Sequence, residues 1–357
     1  MNKKILHLIT SLEGGGTENF LYQILSASPS GFEHQVVFLK KDGVIGERIR
    51  RLGLPVIASG GPMSLTTLFE EFHPDVLHTC LYSAHILGRC FGKMAHIPAI
   101  ITSQRAIDIW QKPWQTLIDR WTLPLSDAVI VNSQAAGDVI RKRRGQRERP
   151  EIFTISNGID LQRFQKGDRA AARSRYGLPA DAIVGGTLMR LHREKGADFI
   201  PDFAQNLLQQ QPRLHLLVGG VGPLADEIGG ALKKSSHGSR VHLIGWEDDT
   251  PAFLSALDFF WSLSREESFP QTLVEASAMG LPWIAPDTGG VSQLIAQGAA
   301  GRTYPRLDLV AAVAKTAELT ADLAGSYARA AQASEKIKNA YVLSKMITAV
   351  YDVFGRF

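Results

Sequence analysis

Ile5-Leu6-His7-Leu8-Ile9, then Glu13-Gly14-Gly15-Gly16-Thr17-Glu18, then Asn19 to Leu25 with apolar residues at helical spacing: this opening stretch decides the fold. It reads as a strand, a glycine-rich turn and a helix. A near-continuous apolar run with no alternation is the pattern of a strand covered on both faces, as in a parallel sheet. The same strand signal recurs at Val36–Leu39, Val76–His78, Ala99–Thr102, Ala128–Val131 and Ile152–Ile155, with longer helix-like stretches between. After about Leu161 the rhythm restarts, at Ile183–Thr187, Leu214–Val218, Val241–Ile244, Phe259–Leu263 and Trp283–Ala285. The expected architecture is α/β, two doubly wound Rossmann-like domains in series, with the joint between Asn157 and Arg169. A last helix-like segment, about Ser334 to Phe357, follows the final strand signal.

With 357 residues, 45% hydrophobic and 21% charged, the chain is long enough for two cores and too apolar for disorder. No apolar run approaches the roughly 18 residues of a membrane span. The Met1-Asn2-Lys3-Lys4 start is followed by too short an apolar stretch for a signal peptide, so the expected location is cytoplasmic. Two cysteines, Cys80 and Cys90, cannot build a zinc cage and are expected to be reduced and buried. The net charge of +4 belongs to the first half: residues 1–168 hold 20 Lys and Arg against 16 Asp and Glu, and the remainder balances.

In open α/β sheets ligands bind beyond the carboxyl ends of strands, which selects five places. Gly14-Gly15-Gly16 could let backbone amides approach an anion at a helix start, or form a ligand-free turn; Asn19 stands where a dinucleotide fingerprint needs glycine. Arg190 and Lys195, in a loop after Ile183–Thr187, could converge on a diphosphate or form a solvated basic loop. In Arg265 to Pro282, Pro270 suits a first helical turn and Gly280 a stop, which sets Glu275 inside a helix and Glu267 just before it. Eight residues of helix span about 12 Å. That exceeds the roughly 5–9.5 Å of a glycosidase pair and suits two carboxylates holding opposite ends of one extended ligand by its hydroxyls. Surface glutamates are the alternative, against which stand the apolar neighbours Leu273, Val274, Ala276 and Ala278. Asp287-Thr288-Gly289-Gly290 is a second anion nest or a turn, and Gly245-Trp246 sets an aromatic where a base could lie.

Taken together, Glu267-Ser268-Phe269-Pro270 to Glu275-Ala276, Gly280-Leu281-Pro282 and Gly289-Gly290 resemble the Glu-x7-Glu signature of the retaining glycosyltransferases of family 4, which have the GT-B fold. Gly14 to Glu18, Ser156-Asn157-Gly158-Ile159-Asp160 with Phe164, Arg190 with Lys195-Gly196, and Gly245-Trp246 extend the resemblance along nearly the whole chain. It implies two domains facing each other across a cleft. Residues 1–163, rejoined by a C-terminal helix at about 340–357, would bind the acceptor, and residues 164–339 the nucleotide sugar. Arg190 and Lys195 would grip the donor diphosphate, Glu275 the ribose and Glu267 the transferred sugar, while Gly15 and Gly16 approach the phosphates. Phe269, Pro270, Gln271, Thr272, Leu273 and Trp246 complete the expected donor contacts. The donor would be a UDP- or GDP-linked sugar, used as substrate with no cofactor. No Asp-x-Asp occurs, and the resemblance implies a metal-independent enzyme. The sequence departs from the family at Met189, Gln293 and Pro270, and it has Thr102-Ser103-Gln104-Arg105 where many relatives place a histidine. Arg105 is expected to face the cleft and supply positive charge. His85 is either a second residue lining it or a helix histidine with structural hydrogen bonds.

The reading is thus a hexosyltransferase that builds a cell-surface polysaccharide or lipid-linked glycan. A sugar-nucleotide 2-epimerase and a nucleic-acid binder using the basic run Arg141 to Arg149 are the alternatives; the run lacks interleaved aromatics, so no nucleic-acid partner is expected. Trp110, Trp114 and Trp121 near this basic background suggest a peripheral protein on the inner face of the cell membrane. The competing expectation is that these tryptophans pack inside the domain.

Overall fold

The computed structural model describes residues 2–107 and 111–357. Among these, thirteen strands form two wholly parallel sheets. The first holds β1 (Lys3–Ser11), β2 (Phe32–Lys41), β3 (Val56–Ala58), β4 (Val76–Cys80), β5 (Ala99–Gln104), β6 (Ala128–Val131) and β7 (Glu151–Thr154), in the order β3-β2-β1-β4-β5-β6-β7. The second holds β8 (Ile183–Leu188), β9 (Leu214–Gly219), β10 (Val241–Gly245), β11 (Phe259–Trp261), β12 (Trp283–Pro286) and β13 (Arg302–Tyr304), in the order β10-β9-β8-β11-β12-β13. Helices connect successive strands, as parallel pairing requires. The central strands β4, β5 and β6 are buried at every residue; β6 is apolar throughout, whereas β4 and β5 open apolar and continue with buried polar residues, His78 and Thr79 in one and Thr102, Ser103 and Gln104 in the other. Two strands escaped the sequence reading, β3 and β13. Each is a three-residue edge strand, too short to show a pattern.

The chain divides into two compact units, Met1–Gly158 with Leu343–Phe357, and Ile159–Val342. The boundary therefore lies a few residues before the expected 163, and the chain rejoins the first unit at Leu343 rather than at 340. Local packing sets both points. Ile159 bridges to Val342 and its amide donates to the Tyr341 carbonyl at 2.7 Å, closing the second unit. A Cβ at Gly158 would lie 2.5 Å from the Leu343 Cα, so only glycine lets the two strands of chain pass there. The expected single helix from Ser334 is two helices, Leu323–Ala340 and Leu343–Arg356, broken at Tyr341–Val342. The second buries Met346, Val350, Tyr351 and Phe354 in the core of the first unit.

A polar chain crosses the core of the first sheet. His34 Nδ1 meets His7 Nε2 at 2.9 Å, His7 Nδ1 meets His78 Nδ1 at 2.8 Å, and His78 Nε2 meets Ser103 Oγ at 2.7 Å. Ser28 Oγ closes the other end, 2.8 Å from His34 Nε2. Both cysteines are free, Cys80 buried and Cys90 only half-buried. Among the described residues no helix is long and apolar enough to cross a membrane.

Candidate active site

Each sheet reverses its winding once, between β1 and β4 in the first and between β8 and β11 in the second. A crevice opens beyond the strand ends at such a switch point. Three of the five loops that the sequence singles out follow β1, β8 and β11 and sit at these two positions; the other two follow β10 and β12.

In the second unit, Gly196 joins the loops after β8 and β11. Its φ of +69 is left-handed, and a Cβ there would lie 2.0 Å from the Leu263 carbonyl oxygen. The close approach brings Lys195 Nζ 2.8 Å from Glu267 Oε1, which also accepts from Ser264 Oγ at 2.7 Å. Arg265 reinforces the junction with a forked pair to Asp198, at 2.6 and 2.8 Å. From the other side, the Gly290 amide donates to the Glu267 carbonyl at 3.0 Å, and a Cβ on Gly290 would strike the Ser268 carbonyl at 2.5 Å. Gly290 thus braces the backbone of Glu267 and is not open as an anion nest. Ser264, Asp198, Arg265 and Gly290 had no assigned part in holding Glu267, because a lone serine or salt bridge leaves no pattern in sequence.

Pro270 precedes the helix Gln271–Ala278, and Gly280, with φ +65, follows it. Glu275 lies within that helix, buried, and accepts from Gln271 Nε2 at 2.8 Å. Burial pushes its carboxyl up to about 7, opposed by the Gln271 hydrogen bond and the Arg163 charge. Arg190 is exposed and pairs with no described carboxylate. Trp246 is exposed, its indole N–H donating to Asp248 at 2.9 Å.

For two of the expected donor contacts the side chain is occupied elsewhere. Leu273 is in the core, and Phe269 is buried with its ring 5.5 Å from that of Tyr341. Neither side chain is offered to a ligand, because both anchor the helix. Thr272 and Leu273 can still present first-turn amides, which lack acceptors within a helix, whereas Pro270 has none to give.

In the first unit, Gly15 is the residue before the helix Gly16–Ser26, and a Cβ on Gly15 would meet the Glu18 carboxylate at 2.8 Å. A Cβ on Gly16 would meet nothing within 4 Å. Arg105 does not point to bulk solvent. It is buried, lies 3.8 Å over the Phe20 ring, and donates to Asn157 and to the Ile155 carbonyl. Burial lowers its guanidinium to about 9, so it stays charged at neutral pH, and its Nε has no partner. His85 is the structural histidine of the two expectations, buried against Thr79 Oγ1 at 3.0 Å and held neutral by that burial. Trp114 and Trp121 are exposed, which removes the expectation that they pack inside; Trp110 lies outside the described residues.

Two family models match this chain, "Glycosyltransferase Family 4" over residues 14–163 and "Glycosyl transferases group 1" over residues 182–322. The chain belongs to the family 4 glycosyltransferases. Among similar proteins, putative glycosyltransferase EpsF of Bacillus subtilis is 26% identical over 309 residues, 80% of this chain and 79% of that one. The GDP-mannose-dependent alpha-mannosyltransferase of Corynebacterium glutamicum is 24% identical over 355 residues, 95% of this chain and 81% of its own. Among solved structures, Anabaena HepE in complex with UDP and glucose superposes with a TM-score of 0.90 at 19% identity, over 100% of both chains. Sucrose-phosphate synthase of Thermosynechococcus elongatus gives 0.80 at 17%, over 99% of both. The fold is GT-B, and the chain is a glycosyltransferase of glycan synthesis.

Proposed function

We propose that this glycosyltransferase acts with retention, moving a hexose-type unit from a UDP- or GDP-linked sugar to a saccharide or lipid-linked saccharide at the cytoplasmic face of the membrane, in cell-surface polysaccharide synthesis. The observation that carries the reading is the Lys195–Glu267–Ser264 contact at the second switch point, with the buried Glu275 about one turn into the helix that follows. Cleavage of the bond between the anomeric carbon and the phosphate oxygen leaves its electron pair on the diphosphate. Lys195 and the unpaired Arg190 supply preplaced positive charge for it, which serves in place of a divalent ion. Glu267, fixed by two donors, turns its carboxylate to the transferred sugar. Glu275 accepts from the ribose hydroxyls, Trp246 offers a face to the base, and Gln271 with the amides of Thr272 and Leu273 lines the sugar and phosphate side.

For Gly15 and Gly16 the proposal keeps approach to a phosphate, which the open space at Gly16 permits. Arg105 contributes a buried positive charge in the first unit. The parallel donors named for relatives, GDP-mannose in C. glutamicum and UDP with glucose in HepE, support a hexose on either base. Thermal stabilisation by UDP-glucose and GDP-mannose, followed by transfer assays with the stabilising donor in EDTA, tests the reading. Retained anomeric configuration and undiminished transfer in EDTA are expected; inversion, or loss of transfer restored by magnesium, contradicts it. Consumption of donor without any acceptor would favour the epimerase.

A further inference from the structure

The helix Pro113–Thr122 is held down on one face, by Asp119 and by bonds from Tyr82 to the Gln115 carbonyl and from Arg89 to Thr122 Oγ1, and turns an apolar stripe outward. Asp119 is its only buried side chain, gripped by Arg89 at 2.6 Å and Arg143 at 2.7 Å. Arg89 is itself buried and bonded to Ser126 at 3.0 Å, so the clamp is anchored in the core. With that face held down, Trp114, Leu117, Ile118 and Trp121 point away at helical spacing, 56%, 54%, 38% and 76% exposed. Scattered exposed apolar residues are ordinary, whereas four in one stripe on a ten-residue helix mark a surface that something covers.

Charge identifies what covers it. Residues 111–149, which run from this helix through the basic helix Gln134–Arg144, hold eight Lys and Arg against four Asp and Glu, a surplus equal to the +4 of the whole chain. Two of the four acids, Asp119 and Asp127, are buried and pair with Arg143 and Arg149 of the same stretch, which leaves the surplus of four in place. Lys112, Arg120, Lys142 and Arg147 are exposed, and Arg147 lies against the Arg120 carbonyl at 3.4 Å, beside the stripe. A second copy docking symmetrically would set this positive surface against itself. A soluble polyanion would leave Leu117 and Ile118 without a role.

We infer that the stripe Trp114-Leu117-Ile118-Trp121 enters the headgroup region of an anionic lipid bilayer, with Lys112, Arg120, Lys142 and Arg147 at the lipid phosphates. Indole rings favour that interface, and basic side chains beside a shallowly inserted apolar face add attraction to anionic lipid. The inference rests on the membrane part of the proposed function and names the surface that makes the contact. The transfer chemistry does not depend on it.

Co-sedimentation of the full chain with vesicles of phosphatidylcholine alone, or mixed equally with phosphatidylglycerol, tests it. Binding is expected to the mixed vesicles only, weakening as salt rises. Trp114→Gln with Trp121→Gln, and separately Lys142→Gln with Arg147→Gln, should each weaken partitioning by roughly tenfold or more while melting temperature and turnover of a soluble acceptor stay as in wild type. No binding to mixed vesicles at low salt, equal binding to both kinds, or unchanged binding of the tryptophan variant overturns the inference. So does lipid-free self-association that the tryptophan variant abolishes, which would assign the face to a second copy. Wild-type protein that transfers sugar yet ignores vesicles refutes the membrane contact alone; inactive protein that binds them refutes the transferase reading alone.

Discussion

Glu275 ties ligand binding to pH through a single buried carboxyl. Its pKa near 7 means that the form able to accept two ribose hydroxyls without giving up an acceptor to a proton is the major one above that pH and falls off below it. Donor binding should tighten as pH rises through about 7 and level off above it, weakening below by up to roughly tenfold per pH unit. Titrating the donor by calorimetry across this range checks it, and Glu275→Gln should remove the slope; a flat wild-type profile contradicts the assignment. Lys195 and Arg190 differ although both are cations on one loop. Lys195 already neutralises Glu267, so Lys195→Ala loses a phosphate contact and releases that carboxylate as well, while Arg190→Ala removes a charge with no partner to disturb. Each should cost roughly 10²-fold in turnover. Only Lys195→Ala should couple to Glu267→Gln in a double-mutant cycle; additive effects for that pair would show that the contact is incidental.

At the scale of elements, the histidine chain across β2, β1, β4 and β5 makes the first unit acid-sensitive. Burial holds His7, His34, His78 and His85 below the ordinary value of 6.5, to about 4 for His34 and about 3 for His78. Above 6.5 these rings are neutral folded or unfolded. Below it the unfolded chain takes up protons that the folded chain refuses, so stability falls as pH drops toward 4, by about 1.4 kcal/mol per pH unit for each histidine fully engaged. Melting temperatures that stay level from neutral pH down to 5 would contradict this. The sequence showed where β1 and β4 run because their residues are apolar enough to form a run; it did not show the histidine ladder, since three residues distant in sequence meet only through strand register. The same logic separates the motifs. Glu267 and Glu275 were legible because they lie eight residues apart, in one loop and the helix that directly follows it. That the side chains of Phe269 and Leu273, inside the same motif, are core was not legible, because spacing does not say which side of the segment meets the core. Arg105 was placed after the right strand, but its partner Asn157 comes from the far end of the unit.

Across the whole molecule, the last helix returns after the 184 residues of the second unit to complete the first core, an arrangement to which loop closure contributes a cost that grows only slowly with length. Phe354 has no exposure, and Tyr351 Oη donates to the Ile24 carbonyl at 2.9 Å. Phe354→Ala should therefore destabilise the first unit by about 3–5 kcal/mol, read by urea unfolding; a change within error would mean that Leu343–Arg356 is dispensable packing. The second unit, closed on itself between Ile159 and Val342, should hold its structure in that variant. The account stands most directly on the division of labour between two carboxylates in that second unit. With the donor that stabilises the protein most, binding and single-turnover transfer are measured for Glu267→Gln and Glu275→Gln side by side. Glu267→Gln is predicted to bind donor nearly as wild type and transfer far more slowly, and Glu275→Gln to lose donor affinity first. Both variants binding and transferring as wild type would contradict the account.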